Sequence, residues 1–380
     1  MSENAYASDV AFLRKHTEII ELVGSGDARV AVAPGYQGRV MTSSLAAEAG
    51  ASFGWLNEDF IAADAQDEKF NNYGGEDRFW LGPEAGQFGL WFENPQPFDM
   101  EHWKTPAGLS SGTFRVTNRD AVAIEMASEF AVTNYSGTRL DCAVKRTIRA
   151  LAADQAAEVL GTSLPDGLSM VGFGSRNALT NAGSDEWTQK GGMASIWILG
   201  QFKPLPRGKV IVPFVAGDAE TLGPRATTDY FGQMPPERCV VGDDHLLFSC
   251  DGQFRSKIGV SPARARNVLG SYDPQAQVLT IVQFNLPADP AGLPYVNSLW
   301  EIQDAPFAGD AVNSYNDGEE TPGAGQLGPF YEIETSSPAA ALAPGESITH
   351  EHNTFHFAGN ADALDALARQ VLAVGLDDVR

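Results

Sequence analysis

Cysteine, basic residues and long apolar runs are scarce in this 380-residue chain, and each shortage excludes a class of protein. Its three cysteines are scattered, with no CxxC pair, so we expect a reducing compartment and no disulfide framework. No apolar run approaches about 18 residues and no signal-peptide pattern is visible, so we expect a cytoplasmic protein without a membrane span. Lys and Arg number 26 against 49 Asp and Glu, and this net charge of −23 disfavours nucleic-acid and anionic-membrane partners.

Short apolar runs separated by turn residues dominate the chain. Their lengths and their regular interruption are typical of antiparallel β-structure, and 39 glycines and 22 prolines supply the turns. Without a repeat or a linker-like change of composition, we predict a single mainly β domain, a sandwich or barrel, over residues 1–380. Strands are predicted at 28–34, 87–93, 139–151, 193–202, 209–215, 244–250 and 277–286.

Helical periodicity is confined to three segments. A serine–aspartate pair before VAFLRKH predicts a short N-terminal helix at about residues 8–16. Residues 153–160 predict a second helix. An apolar stripe over residues 361–374, preceded by Asn360 as an N-cap, predicts a C-terminal helix.

Half of the six histidines fall in one short segment, SITHEHNTFHF at residues 347–357. Alternate side chains of a strand point to the same face, so an extended segment would present His350, His352 and His356 together. So few histidines are unlikely to gather on one strand face by chance. The segment is therefore a candidate for a functional site.

Two glutamates precede this segment. Glu332 and Glu334 would share one face of a strand at residues 330–335. Pairing with the histidine strand would place both carboxylates beside His350 and His352, as catalytic acid and base or as ligands of a divalent metal. Acid–base chemistry needs no metal there, so no cofactor is predicted. The simpler alternative is a charged, solvated sheet face.

A second polar cluster lies at residues 71–93, where Glu76, Arg78 and Trp80 follow a Gly-Gly turn. Tryptophan beside arginine and carboxylates suits a sugar, since the ring covers apolar C–H faces and charged groups bind hydroxyls. An ion pair beside a core tryptophan explains the pattern equally well. We predict that this segment and residues 312–334 converge on one cleft.

Four other polar residues are candidates for contacts to a sugar. Asn316 and Asp317 lie in NSYNDG, where a turn is the simpler interpretation. Asn177 lies in RNALTN, where loop capping is the simpler interpretation. Lys257 would share a strand face with Arg255, and ion pairing would explain both. Phosphate loops, GxSxG and HExxH motifs are absent.

Together these segments resemble the galactose mutarotase-like superfamily, the β-supersandwich fold of aldose 1-epimerases. FYEIETSSPAAALAPGESITHEHNTFHF is similar to the epimerase segment in which LETQ, a proline and PGE lead into the last strand. GGEDRFWLGPEAGQF, NSYNDG and QLGPFYE resemble an uncharacterised bacterial branch of that superfamily. The resemblance implies a large antiparallel β-supersandwich with a few peripheral helices and a sugar cleft on its concave face.

The resemblance also implies a glutamate as catalytic base. The distance to the following proline is longer than the family's for Glu332 and shorter for Glu334, so both are candidates, with Glu334 first because a threonine follows it as in the family. The family's histidine, in an HxYFNL-type motif, has no counterpart, so the acid is expected from His350 or His352. We therefore expect an aldose 1-epimerase-like protein that acts on a small sugar or an oligosaccharide. A polysaccharide lyase, a glycosidase or a non-catalytic sugar-binding protein are the alternatives. A cupin-type metal protein is disfavoured, since no glutamate follows HxH at the cupin spacing.

Overall fold

Eighteen strands and six short α-helices form the regular structure of residues 5–47, 49–319 and 323–379, which the computed structural model describes. The strands are β1 Ile20–Val23, β2 Arg29–Ala33, β3 Arg39–Ser44, β4 Arg78–Gly82, β5 Arg115–Arg119, β6 Ala123–Thr133, β7 Arg139–Ala150, β8 Ser169–Asn181, β9 Ser195–Phe202, β10 Lys209–Pro213, β11 Cys239–Val241, β12 His245–Ser249, β13 Ser256–Val260, β14 Val268–Asp273, β15 Val278–Phe284, β16 Val312–Asn316, β17 Tyr331–Ser336 and β18 Ser347–Ala358. The helices are α1 Tyr6–Leu13, α2 Glu58–Ala62, α3 Ala107–Ser110, α4 Ala153–Leu160, α5 Ala219–Leu222 and α6 Ala361–Val371.

These strands form three antiparallel sheets. The largest has ten strands in the order β11-β12-β10-β14-β15-β18-β8-β7-β6-β5. A five-stranded sheet has the order β13-β16-β17-β9-β4, and a three-stranded sheet has the order β1-β2-β3. The predicted fold class, mainly β with large antiparallel sheets and few helices, is confirmed. No helix of the described segments is long and apolar enough to cross a membrane.

The main core lies between the ten-stranded and five-stranded sheets. Ile333 of β17 is fully buried there with Leu269 of β14 and Val282 of β15. Because side chains alternate along a strand, the neighbours of Ile333 on β17 point to the other face of the five-stranded sheet. This alternation gives Glu332 and Glu334 a common direction, as the sequence predicted.

Helix α6 covers the outer face of the ten-stranded sheet. Leu364 and Leu367 of α6 pack in one cluster with Phe355 and Phe357 of β18. The Asn360 side chain accepts a hydrogen bond from the first turn of α6, which confirms the predicted N-cap. The opposite face of β18 therefore looks into the space between the two large sheets.

Three sequence-based predictions differ from the structure by more than two residues at an end. The predicted strand at 87–93 is wrong: the chain turns at Gly86, whose φ is +83°, and the apolar residues that follow fill the core from a loop. A short apolar run cannot distinguish a strand from a buried loop. The N-terminal helix is α1 rather than residues 8–16, and the C-terminal helix ends at Val371 rather than at residue 374.

Candidate functional site

A cleft opens on the face of the five-stranded sheet that points away from the main core. It encloses about 560 Å³ of empty space, part of which is open to solvent. Its walls carry four tryptophans and five charged side chains: Trp80, Trp103, Trp197, Trp300, Arg78, Glu84, Arg255, Lys257 and Glu332. Aromatic faces combined with a few charged groups are typical of a ligand site.

The strand register explains why these side chains converge. One row across the sheet runs from Lys257 through Tyr315 and Glu332 to Gln201, each residue directly opposite the next. Directly opposed residues of antiparallel strands project to the same face. All four therefore line the cleft, although they come from distant parts of the sequence. Residues 71–93 and 312–334 meet here, as predicted.

Arg78 and Glu332 form a buried ion pair on the cleft wall. Nη2 of Arg78 lies 3.1 Å from Oε1 of Glu332, and the two side chains are 2% and 8% exposed. The guanidinium lies over the Trp80 ring, 3.7 Å from its centroid, a cation–π contact. Nε and Nη1 of Arg78 are buried without a protein partner among the described residues. They are buried donors to which no protein acceptor is assigned in the part of the chain that the structure describes.

The Glu332 carboxyl is poised to gain or lose a proton near neutral pH. Burial raises the pKa of Glu332, the Arg78 charge opposes that rise and the Glu334 carboxylate adds to it, with a resulting pKa of about 7. A carboxyl group with such a pKa can act as a base or as an acid at physiological pH.

Glu334 lies behind the cleft surface and is held by two donors. Its Oε2 accepts hydrogen bonds from Nζ of Lys257 and Nε1 of Trp197, each at 2.9 Å. Burial lowers the pKa of Lys257, but the Glu334 and Glu84 carboxylates outweigh burial and raise it. The ammonium group also lies 4.7 Å from the centroid of the Trp197 ring. The second oxygen of Glu334, Oε1, is buried and has no partner among the described residues.

Glu84 is a second carboxyl group on the cleft wall. Its Oε1 accepts a hydrogen bond from Nε1 of Trp103 at 2.6 Å. Burial raises the pKa of Glu84, although Lys257 and two indole donors, from Trp103 and Trp300, oppose the rise. The cleft therefore holds two carboxyl groups with raised pKa, Glu84 and Glu332.

The expected pairing of the glutamate and histidine strands is wrong. β17 pairs with β16 and β9, whereas β18 pairs with β15 and β8 in the other large sheet. His350, His352 and His356 do share one face of β18, but that face points into the space between the sheets. Oγ1 of Thr335, on the core-facing side of β17, lies 2.8 Å from Nε2 of His350 and from Nδ1 of His352.

Both of these histidines are buried and do not line the cleft. Burial lowers the pKa of His350 to about 3 and that of His352 to about 4, so both are neutral at pH 7. Their role as acid partners of Glu332 or Glu334 has no geometric support, because the five-stranded sheet lies between them and the cleft. No group of three or more His, Cys, Asp or Glu within residues 5–47, 49–319 and 323–379 is arranged to hold a metal ion.

Glu76 and Asn177 also lie between the sheets rather than in the cleft, which corrects their predicted sugar contacts. Oε2 of Glu76 lies 2.8 Å from Nε2 of His356, and Asn177 accepts a hydrogen bond from the buried Arg146. Glu76 precedes β4 and follows Gly75, whose φ is +110°, so the alternation that directs Arg78 to the cleft does not extend to it.

Asn316 and Asp317 support the cleft from behind. Asp317 accepts hydrogen bonds from the Tyr315 hydroxyl at 2.6 Å and from the Gly328 amide at 2.8 Å. Asn316 accepts a hydrogen bond from the Gly252 amide and donates one to the Phe254 carbonyl. Neither residue is among those that line the cleft, whereas Tyr315 is. Their contacts position the cleft wall, so the structure does not support a direct sugar contact.

Sequence reasoning missed part of the aromatic wall. Trp103, Trp197 and Trp300 are separated by about a hundred residues each and share no local motif. Glu84 could have been predicted from the sequence, since it lies in the GGEDRFWLGPEAGQF segment. Of the predicted residues, Arg78, Trp80, Lys257 and Glu332 line the cleft.

Comparison with known sequences matches residues 4–380 to a family of unknown function, DUF6786. The chain belongs to the DUF6786 family. No curated protein matches it.

Among solved structures, this DUF6786 protein is similar to a protein of Escherichia coli K12 provisionally assigned as an aldose 1-epimerase. The identity is 14%, the match covers 90% of this chain and 99% of that one, and the TM-score is 0.51. The Slr1438 protein of Synechocystis sp. PCC 6803 matches at 10% identity over 90% and 96% of the chains, with a TM-score of 0.52. A galactose mutarotase-like protein of Lactobacillus casei matches at 10% identity over 89% and 100%, with a TM-score of 0.47. The predicted galactose mutarotase-like fold is confirmed.

Proposed function

We propose that this DUF6786 protein is a carbohydrate-active enzyme that binds a sugar in the cleft and transfers protons at its anomeric centre, as an aldose 1-epimerase does. One observation carries the proposal: Glu332, with a pKa of about 7, faces a cleft walled by tryptophans and paired charges. Indole rings cover the C–H faces of a pyranose, while charged groups bind its hydroxyls. The aldose 1-epimerase-like fold of the chain agrees with such a ligand.

In this reaction Glu332 acts as the base. Its carboxylate removes the proton of the anomeric hydroxyl, the bond between C1 and the ring oxygen breaks, and the ring oxygen must receive a proton. Glu84 is the other carboxyl group that lines the cleft, and burial favours its protonated form, so we assign it as the donor. Rotation about C1–C2 and reclosure, with both protons returned, give the other anomer.

Hydrolysis of a glycosidic bond is a second candidate. The presence of two carboxyl groups in one cleft favours it, since most glycosidases use one carboxyl as an acid and the other as a base or nucleophile. In that case Glu84 would protonate the leaving oxygen and Glu332 would activate water or attack C1. The two reactions differ in their product, and polarimetry with reducing-end analysis separates them.

Glu332→Gln tests the assignment, because it keeps the shape of the side chain and removes the base. We expect the rate of anomer equilibration, followed by polarimetry on pure α-anomers of glucose, galactose and mannose, to fall by about 10²- to 10⁴-fold. Glu129→Gln, at an exposed glutamate of β6, is the matched control and should keep the wild-type rate. Equal rates in wild type, Glu332→Gln and Glu84→Gln would end the catalytic assignment.

A further inference from the structure

A second compartment adjoins the cleft and shares part of its wall. It spans about 830 Å³ of space, part of which is open solvent, and Phe98, Asp99 and Phe254 line it but not the cleft. We propose that this outer compartment holds the second unit of an uncharged oligosaccharide or glycoside whose terminal sugar occupies the cleft. The inference rests on the proposed function and names its substrate class.

The two compartments are continuous. Phe231, Arg255 and Trp300 line both of them. The Phe231 and Trp300 rings are perpendicular, with centroids 6.5 Å apart, and the Arg255 guanidinium lies 3.9 Å from the Phe231 centroid. A ligand that leaves the cleft therefore passes the Arg255 guanidinium and aromatic rings, against which the apolar C–H faces of a sugar pack.

Burial decreases along this path. Arg78 and Glu332, at the inner end, are buried, whereas Phe254 is half-buried and Asp99 is exposed at the outer end. A site that is closed at one end and open at the other accepts the end of a chain and leaves the remainder in solvent. The geometry thus favours a terminal sugar unit over the middle of a polysaccharide.

The charges of the two compartments favour an uncharged ligand. Arg78 is paired with Glu332, and Lys257 is paired with Glu334. A phosphate or carboxylate would compete with these buried carboxylates for Arg78 and Lys257, which is costly, and the Arg255 guanidinium that lines both compartments lies over the Phe231 ring. The outer compartment adds the Asp99 carboxylate, and the chain carries a net charge of −23, so an anionic sugar meets further repulsion.

Calorimetric titration with a length and charge series tests the inference. The probes are glucose, galactose and mannose, then maltose, cellobiose, lactose and mannobiose, then glucuronate and glucose 6-phosphate. We expect at least one disaccharide to bind about three- to tenfold more tightly than its own monosaccharide, the range that one aromatic contact accounts for. Phe254→Ala should remove that gain and leave monosaccharide affinity unchanged. Phe254→Leu serves if the alanine variant unfolds.

Phe88→Ala is the matched control, since Phe88 is also half-buried but lines neither compartment. The Phe88→Ala variant should still bind the disaccharide more tightly than the monosaccharide. Equal affinities for monosaccharides and disaccharides, insensitive to Phe254→Ala, would overturn the outer subsite and leave the proposed function standing. Tighter binding of glucuronate or glucose 6-phosphate would overturn the assignment of an uncharged ligand. If no sugar binds and no anomer equilibration is accelerated, the proposed function fails, and the inference with it.

Discussion

Replacement of Glu332 by glutamine should change how the stability of this protein depends on pH. The pKa of Glu332 is raised by burial from its ordinary value of 4.5 to about 7 in the folded chain. Between these two pH values the folded protein keeps a proton that the unfolded chain has released. Stability therefore falls as pH rises through this window, and Glu332→Gln removes that fall.

The structure sets the size of the effect. A pKa difference of about 2.5 corresponds to about 3 kcal/mol of unfolding free energy, at about 1.4 kcal/mol for each pH unit. Unfolding of 380 residues has an entropy of about 0.8 kcal/mol/K, at about 2.1 cal/mol/K per residue. Between pH 4.5 and pH 8 the melting temperature of the wild type should therefore fall by about 4 °C relative to Glu332→Gln.

Differential scanning calorimetry of both proteins at pH 4.5, 5.5, 6.5, 7.5 and 8 measures this difference, and the subtraction cancels the other titrating groups. Glu129→Gln removes an exposed glutamate, so its melting temperature should change with pH in the same way as that of the wild type. Parallel curves for wild type and Glu332→Gln would refute the raised pKa, and with it the reason for assigning the proton transfer to Glu332.

Two further substitutions test the cleft and the layer between the sheets one at a time. Lys257→Met should lower the free energy of unfolding, measured in urea at pH 7, by about 3–5 kcal/mol, because it leaves the buried Glu334 carboxylate without its cation. A decrease below about 1 kcal/mol would show that the pair is not buried in solution. Thr335→Val should lower the free energy of unfolding by about 1–3 kcal/mol, because two buried histidines, His350 and His352, lose their shared hydroxyl partner. The affinity for sugar should stay at the wild-type value. A weakened affinity with unchanged stability would mean that Thr335 contributes to the cleft.

Residue patterns within single segments were sufficient to predict much of the secondary structure. Six of the seven predicted strands correspond, to within two residues at each end, to β2, β7, β9, β10, β12 and β15. The common face of Glu332 and Glu334, and that of the three histidines in β18, follow from the two-residue period of a strand. The N-cap at Asn360 likewise depends only on the residues next to it. These features are local, so the order of amino acids determines them directly.

Only the tertiary structure decided what each face meets. The spacing of Glu332 and His350 is compatible with one shared surface, but their strands joined different sheets, and a strand's partners depend on hydrogen bonds between distant segments. The same long-range pairing brought Trp103, Trp197 and Trp300 to one cleft and placed Arg78 against Glu332, 254 residues away. The same packing removes water from the Glu332 carboxyl and the His350 imidazole. Burial by distant residues therefore raises the pKa of Glu332 to about 7 and keeps His350 neutral.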